Sequence, residues 1–202
     1  NGNASGLIIN REVVSPTLQN VFISPGNLLK GNVLFIFPNF GVDLHIPFPI
    51  DSITDDQGNS YAGLASPQSV TLPSTSWAQP FYCVLNKSVS NLTINYQYAV
   101  PLAPITHLPI GVNSCSTYVA VVQGRGDLDV NFVAGSGNGT AMASPNFTTM
   151  NPSDILIGFG LGQNGFALGS GFSNLVSSVG EYQAVVSVGT YNATFTQTPG
   201  GQ

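Results

Sequence analysis

Charge is what this sequence has least of. Asp, Glu, Lys and Arg make up 6% of its 202 residues, against a usual share of about 25%. The cations are Arg11, Lys30, Lys87 and Arg125. A nucleic-acid surface needs a clustered basic stripe, and four scattered cations do not supply one. The acidic side is equally sparse: the net charge is −5, with no acidic run. Histidine is limited to His45 and His107, and glutamate to Glu12 and Glu181. A hydrolytic triad needs a base oriented by a carboxylate and an activated nucleophile. Asp43 and His45 share one strand face, but no G-x-S-x-G turn accompanies them. A glycosidase pair of carboxylates is poorly supplied as well. The reading is therefore non-enzymatic, with no catalytic residue and no cofactor other than covalent glycans.

Other features are also missing. No run of 18 apolar residues exists, which excludes a helical membrane span. No window of about 11 residues keeps a helical period with caps at both ends. The two cysteines, Cys83 and Cys115, lack C-x-x-C spacing and neighbouring histidines, so no metal site is expected from them. Asp51, Asp55, Asp56 and Asn59 cluster at a turn, but their spacing is not that of a calcium loop. They read as a turn closed by Asx hydrogen bonds.

What is abundant is apolar and uncharged polar sequence. The chain is 43% hydrophobic, enough for a sizeable core. Six N-x-S/T sequons occur, at Asn3, Asn86, Asn91, Asn138, Asn146 and Asn192. Glycans on them would solvate a surface that charge does not. This places the protein outside the cell, with Asn1 as the start of a processed mature chain. In that compartment Cys83 and Cys115 are expected to form a disulfide. Few carboxylates also suit an acidic exterior, because stability resting on ionised carboxylates is lost in acid.

The chain reads as strands throughout. Residues 32–40 form an apolar run of the kind buried on both faces. Residues 91–99 alternate, with Leu92, Ile94, Tyr96 and Tyr98 on one face. Further strands are expected at 21–23, 50–53, 81–85, 117–123, 128–133 and 154–159, with a last hairpin of 182–188 and 191–196 around Gly189. Strands recurring every eight to twelve residues define an all-β fold, a single large immunoglobulin-like or jelly-roll sandwich over residues 16–202. The proline-rich stretch 101–109 reads as a crossover between sheets. Gly160, Gly162 and Gly165 match G-x-G-x-x-G, but helix-breaking sequence follows, so the stretch reads as a close-packed loop. The triplet Arg125-Gly126-Asp127 reads as a turn.

Residues 1–15 stand apart as an N-terminal extension. Leu7, Ile8, Ile9, Val13 and Val14 give it an apolar, β-branched strand closed by Pro16. No hairpin partner for it precedes Pro16. This detached strand, the all-β body, the dense sequons and the near-absence of charge together resemble the subunit of the archaeal thread filament of thermoacidophiles. The resemblance implies head-to-tail polymerisation by donor-strand complementation, as in chaperone–usher pilins, with sugars on the six sequons. On this chain the donor strand falls on residues 6–14, with Leu7, Ile9 and Val13 as groove-facing anchors. It implies an extracellular cell-surface filament serving adhesion or biofilm contact, its partner being further copies of itself. The competing reading is a monomeric secreted carbohydrate-binding or surface-layer-associated sandwich, with Trp77, Tyr82, Tyr96 and Tyr98 available to stack on sugars.

Overall fold

The computed structural model describes residues 4–11, 19–23, 28–42, 50–66, 68–71, 75–96, 112–124, 128–129, 132–135, 139–162, 165–176 and 179–197. All regular structure among them is β, with no helix. The strands are arranged in five antiparallel sheets.

The largest sheet is built on two long strands, β3 (Val33–Val42) and β10 (Val112–Val122), paired antiparallel. On its outer side β10 carries β1 (Ala4–Arg11), which ends the sheet. The other side of β3 changes partner along its length. Val33 to Ile36 pair with β8 (Phe81–Val84), and Asn39 to Val42 pair with β7 (Thr75–Ala78). Pro38 falls at that change of partner. A proline has no N–H for a ladder, and a junction between two partners is where its absence is tolerated. The sheet is completed by β5 (Ala62–Gly63) against β8 and β6 (Gln68–Thr71) against β7.

Residues 33–37 alternate poorly because β3 is covered on both faces. Val33, Leu34, Ile36 and Phe37 are all buried, as a run without polar interruption requires. Val119 and Ala120 on β10 are fully buried beside them. A separate sheet sets β9 (Leu92–Tyr96) between β2 (Gln19–Ile23) and β4 (Ile50–Asp55). The proline-rich stretch 101–109, read as a crossover, lies outside the described residues; β9 before it and β10 after it belong to different sheets.

The remaining strands pair only among themselves. They are β11 (Ala141–Ala143), β12 (Phe147–Thr148), β13 (Ile155–Phe159), β14 (Phe166–Leu168), β15 (Ser173–Val176), β16 (Gly180–Ala184), β17 (Thr190–Tyr191) and β18 (Thr194–Gln197). Their sheets run β11-β18-β14, β12-β17 and β13-β16-β15. Among the described residues no ladder joins a strand before residue 123 to one after residue 140. Packing does join them: β15 lies against β1 and β10, and Phe37 stacks on Phe159 with ring centroids 4.6 Å apart and planes 5° from parallel.

Two expectations from the sequence fail here. The hairpin of 182–188 with 191–196 does not form. Instead β16 sits between β13 and β15, while β18 sits between β11 and β14. The alternation at 128–133 also yields no strand at its described residues, 128–129 and 132–133. Alternation marks a residue as strand-compatible, but a ladder partner must be there to make it a strand.

Candidate functional site

The N-terminal strand finds its partner far along the chain. Ile8 is paired with Tyr118, in a continuous antiparallel register from Ala4↔Val122 to Arg11↔Cys115. Leu7 stands opposite Val119 and Ile9 opposite Thr117, and both of those β10 residues are almost completely buried. Cross-strand partners share a sheet face. The register therefore puts two of the expected anchors on a face that is buried on β10. On the other face the buried Ala120 is met by Gly6. With β10 on its hydrogen-bonded side and β15 packed against it, β1 occupies a seam between the large sheet and the C-terminal ladders. Val13, Val14 and Asn3 lie outside the described residues, as do Asn138, His45, His107 and the Arg125-Gly126-Asp127 triplet.

The remaining sequons separate by exposure. Asn86, Asn91 and Asn146 are exposed on loops, whereas Asn192, between β17 and β18, is half-buried.

The expected Cys83–Cys115 disulfide is corrected by the structure, in which Cys83 is a buried free thiol. Cys83 pairs with Leu34 and Cys115 with Phe40, on opposite edges of β3. Six residues along a strand and two strand spacings across it separate the two α-carbons by roughly 20 Å. A disulfide needs them within about 7 Å. Burial pushes the Cys83 thiol up to about 11, with a smaller contribution from the nearby Asp55 charge. Alkylation of the denatured chain without reductant is expected to label both cysteines. A single intact-mass measurement checks this, and labelling of neither would restore the disulfide.

The acidic turn after β4 is a hydrogen-bonded hub. Asp55 Oδ1 accepts the N–H groups of Gln57 (2.8 Å) and Asn59 (3.1 Å). Its Oδ2 accepts Asn59 Nδ2 and the Tyr61 hydroxyl, both at 2.7 Å. Asn59 Oδ1 in turn accepts the N–H groups of Asn86 and Lys87 (2.9 and 3.1 Å), and Lys87 Nζ reaches the Gln57 carbonyl (3.0 Å). Both Asp55 oxygens are thus engaged by donors, which is the Asx-turn arrangement rather than a set of ligands waiting for an ion. Partial burial alone would raise Asp55, but the bonds from Asn59, Tyr61 and Gln57 outweigh it and hold the carboxyl below its usual range. Burial and the same Asp55 bond push the Tyr61 phenol upward.

Glu181 is a site the sequence reading passed over. It is completely buried on β16, yet its carboxylate reaches the neighbouring sheet. Oε2 accepts the Gly169 N–H (2.8 Å) and Oε1 the Thr194 N–H (3.2 Å). Gly169 can come this close because it has no side chain: a Cβ there would lie 2.5 Å from the Thr194 carbonyl oxygen. Glu181 is therefore a buried pin between β16 and the ends of β14 and β18. Its signal in the sequence was its rarity, as one of two glutamates.

Two glycines of the G-x-G-x-x-G match, Gly160 and Gly162, lie against the Phe166 ring, while a Cβ on Gly165 would meet open space. A Cβ on Gly162 would lie 2.8 Å from the Phe166 ring, and Phe166 opens a strand, β14, rather than a helix. Comparison of the chain with protein-family models, with curated proteins and with solved structures finds no match in any of the three.

Proposed function

We propose that this protein is a structural subunit of an extracellular, N-glycosylated filament, with a β-sandwich body that polymerises head-to-tail by lending its N-terminal strand to the next copy. The observation that carries this reading is the place of β1: a terminal edge strand in an uninterrupted ladder on β10, seated in a seam closed on its other side by β15.

Such a strand can be exchanged without loss. A second copy's Ala4–Arg11 laid on β10 in the same register makes the same main-chain bonds as the chain's own. The choice between closed monomer and open polymer then rests on the connection from Arg11 to Gln19 and on concentration. Because the contact joins unlike surfaces, it does not close on itself, and repetition gives a filament. The strand is also unguarded: between Ala4 and Asn10 it carries no charge or proline, the devices that normally stop edge strands from pairing with other chains.

Exposed Asn86, Asn91 and Asn146 suit glycans along the outside of such a polymer, with few charges to solvate it otherwise. Adhesion or biofilm contact is the use this reading gives the filament. Negative-stain imaging of surface material from cells producing the protein tests the reading. Thin unbranched threads that disappear from cells producing the chain without residues 1–14 are expected. Threads that persist in those cells, or a protein that stays monomeric at the surface, would overturn it.

A further inference from the structure

A hollow among the described residues has a sequon in its wall. It is open-sided, about 440 Å³ in volume, and lined by Lys30, Gly31, Val84, Leu85, Asn86 and Gly124. That volume falls within the range of small-ligand sites, about 300–1,000 Å³. The walls come from three neighbouring strand ends of the large sheet: the residues just before β3, the end of β8 and the residues after it, and Gly124 shortly beyond β10. Gly31 and Gly124 both have positive φ (92° and 99°), and neither adds a side chain to fill the space. Buried Leu85 and half-buried Val84 are its apolar part, and Lys30 is its one charged lining residue.

The sequon Asn86-Lys87-Ser88 is fastened on both sides of this hollow. On one side the Asn86 and Lys87 N–H groups donate to Asn59 Oδ1 (2.9 and 3.1 Å). On the other, Ser88 Oγ accepts the Lys30 N–H (3.0 Å). The Gly31 N–H donates to the Leu85 carbonyl (2.8 Å), and the Leu85 N–H to the Asn32 carbonyl (2.9 Å). The exposed Asn86 is therefore a fixed attachment point relative to the space it lines.

An open hollow with so few polar groups is a poor trap for a free molecule, which must give up translational and rotational freedom on binding. A sugar already joined to Asn86 has given up that freedom, and its tether keeps it at high effective concentration. We propose that the hollow is the seat of the Asn86-linked glycan and holds the sugar residues next to the linkage. Their C–H faces cover Val84 and Leu85, and the Lys30 ammonium donates to their oxygens from the rim. The proposal rests on the reading of the protein as N-glycosylated, and it makes this glycan a packed part of the folded surface.

The chain's two lysines report on the seat. Lys87 directly follows Asn86, but its Nζ is held at the Gln57 carbonyl (3.0 Å), away from the lining. Folded protein from producing cells is to be labelled with a water-soluble amine-acylating reagent. Peptide masses give the rate at each lysine and show whether Asn86 carries sugar. The seat predicts that Lys30 reacts about fivefold more slowly in wild type than in Asn86→Gln, as a seat filled roughly four-fifths of the time gives, while Lys87 changes little. Asn86→Gln keeps the main-chain N–H that Asn59 accepts, so its fold is retained. Asn146→Gln is expected to leave Lys30 at the wild-type rate. An unmodified Asn86 would overturn the glycosylated reading at this site and the seat with it. A glycosylated Asn86 that shields both lysines equally, or neither, would overturn the seat alone.

Discussion

Deleting residues 1–14 is expected to give a protein that folds less stably and does not form filaments. The deletion removes the whole of β1 and leaves the outer N–H and C=O groups of β10 without partners along the register from Val122 to Cys115. At about half a kcal/mol net for each main-chain hydrogen bond, an eight-residue ladder is worth on the order of 4 kcal/mol. For a chain of this size that is a fall in Tm of roughly 10 °C. A synthetic peptide with the β1 sequence ASGLIINR, added in excess, is expected to restore most of the loss, because it binds the native seam and not the unfolded chain. Thermal unfolding with and without the peptide reads both effects. A truncated protein as stable as the parent and indifferent to the peptide would mean that β1 is not an exchangeable part of the fold.

The second large effect is expected at Glu181. In Glu181→Ala the N–H groups of Gly169 and Thr194 lose their acceptors in a site without water access, at about 1–3 kcal/mol each. A destabilisation of roughly 3 kcal/mol is expected. Glu181→Gln keeps one good acceptor and is expected to be milder, but it removes a pH dependence. Burial raises the Glu181 carboxyl above its ordinary value, and the two N–H bonds only partly offset this. The native state therefore holds the proton more tightly than the unfolded state. The contribution is fully present below the ordinary glutamate value and declines as pH rises through the raised one. Wild type is thus expected to gain stability from pH 8 down to pH 4 relative to Glu181→Gln. Urea unfolding across that range measures the difference, and parallel curves for the two proteins would refute the assignment.

Asp55 works in the opposite direction. Its carboxyl is held below the usual range, so its contribution is present above the ordinary aspartate value and is lost as pH falls through the lowered one. The sequence suggested acid tolerance from scarcity of carboxylates. The structure supplies a second route at two of the few carboxyls, Glu181 and Asp154, which burial raises, while Asp55, lowered by its donors, works against it. Scarcity is visible in composition. The sign of each remaining carboxyl is not, because it depends on which groups the fold brings together.

The same division runs through the fold. The strands at 81–85, 117–123 and 154–159 were legible because their β-branched and apolar residues leave little alternative to a buried ladder. Their partners were not. Tyr182 and its neighbours looked like half of a hairpin with residues 191–196, since a glycine and a short loop separate the two. Yet β16 is taken up on both edges by β13 and β15, and non-local pairing overrides the local turn signal. The cysteines failed for a related reason. A compartment argument predicts that two thiols will meet, but only the β3 register places Cys83 and Cys115 at opposite ends of one strand. The N-terminal strand was legible as an isolated strand because the sequence offers no hairpin for it. Its partner β10, about 110 residues away, could be found only from the structure.

The central claim is that β1 is donated between copies, and the register supplies its most direct test. Ser5 lies opposite Val121, so Ser5→Cys with Val121→Cys, in a chain whose Cys83 and Cys115 are changed to alanine, places a pair of thiols across the ladder. Assembled material is to be oxidised, denatured and run on a gel without reductant. Strand donation predicts a ladder of covalent dimers, trimers and longer species that collapses to monomer on reduction. A single monomer-sized band from filaments formed by this variant would show that each strand stays on its own chain, and would contradict the account.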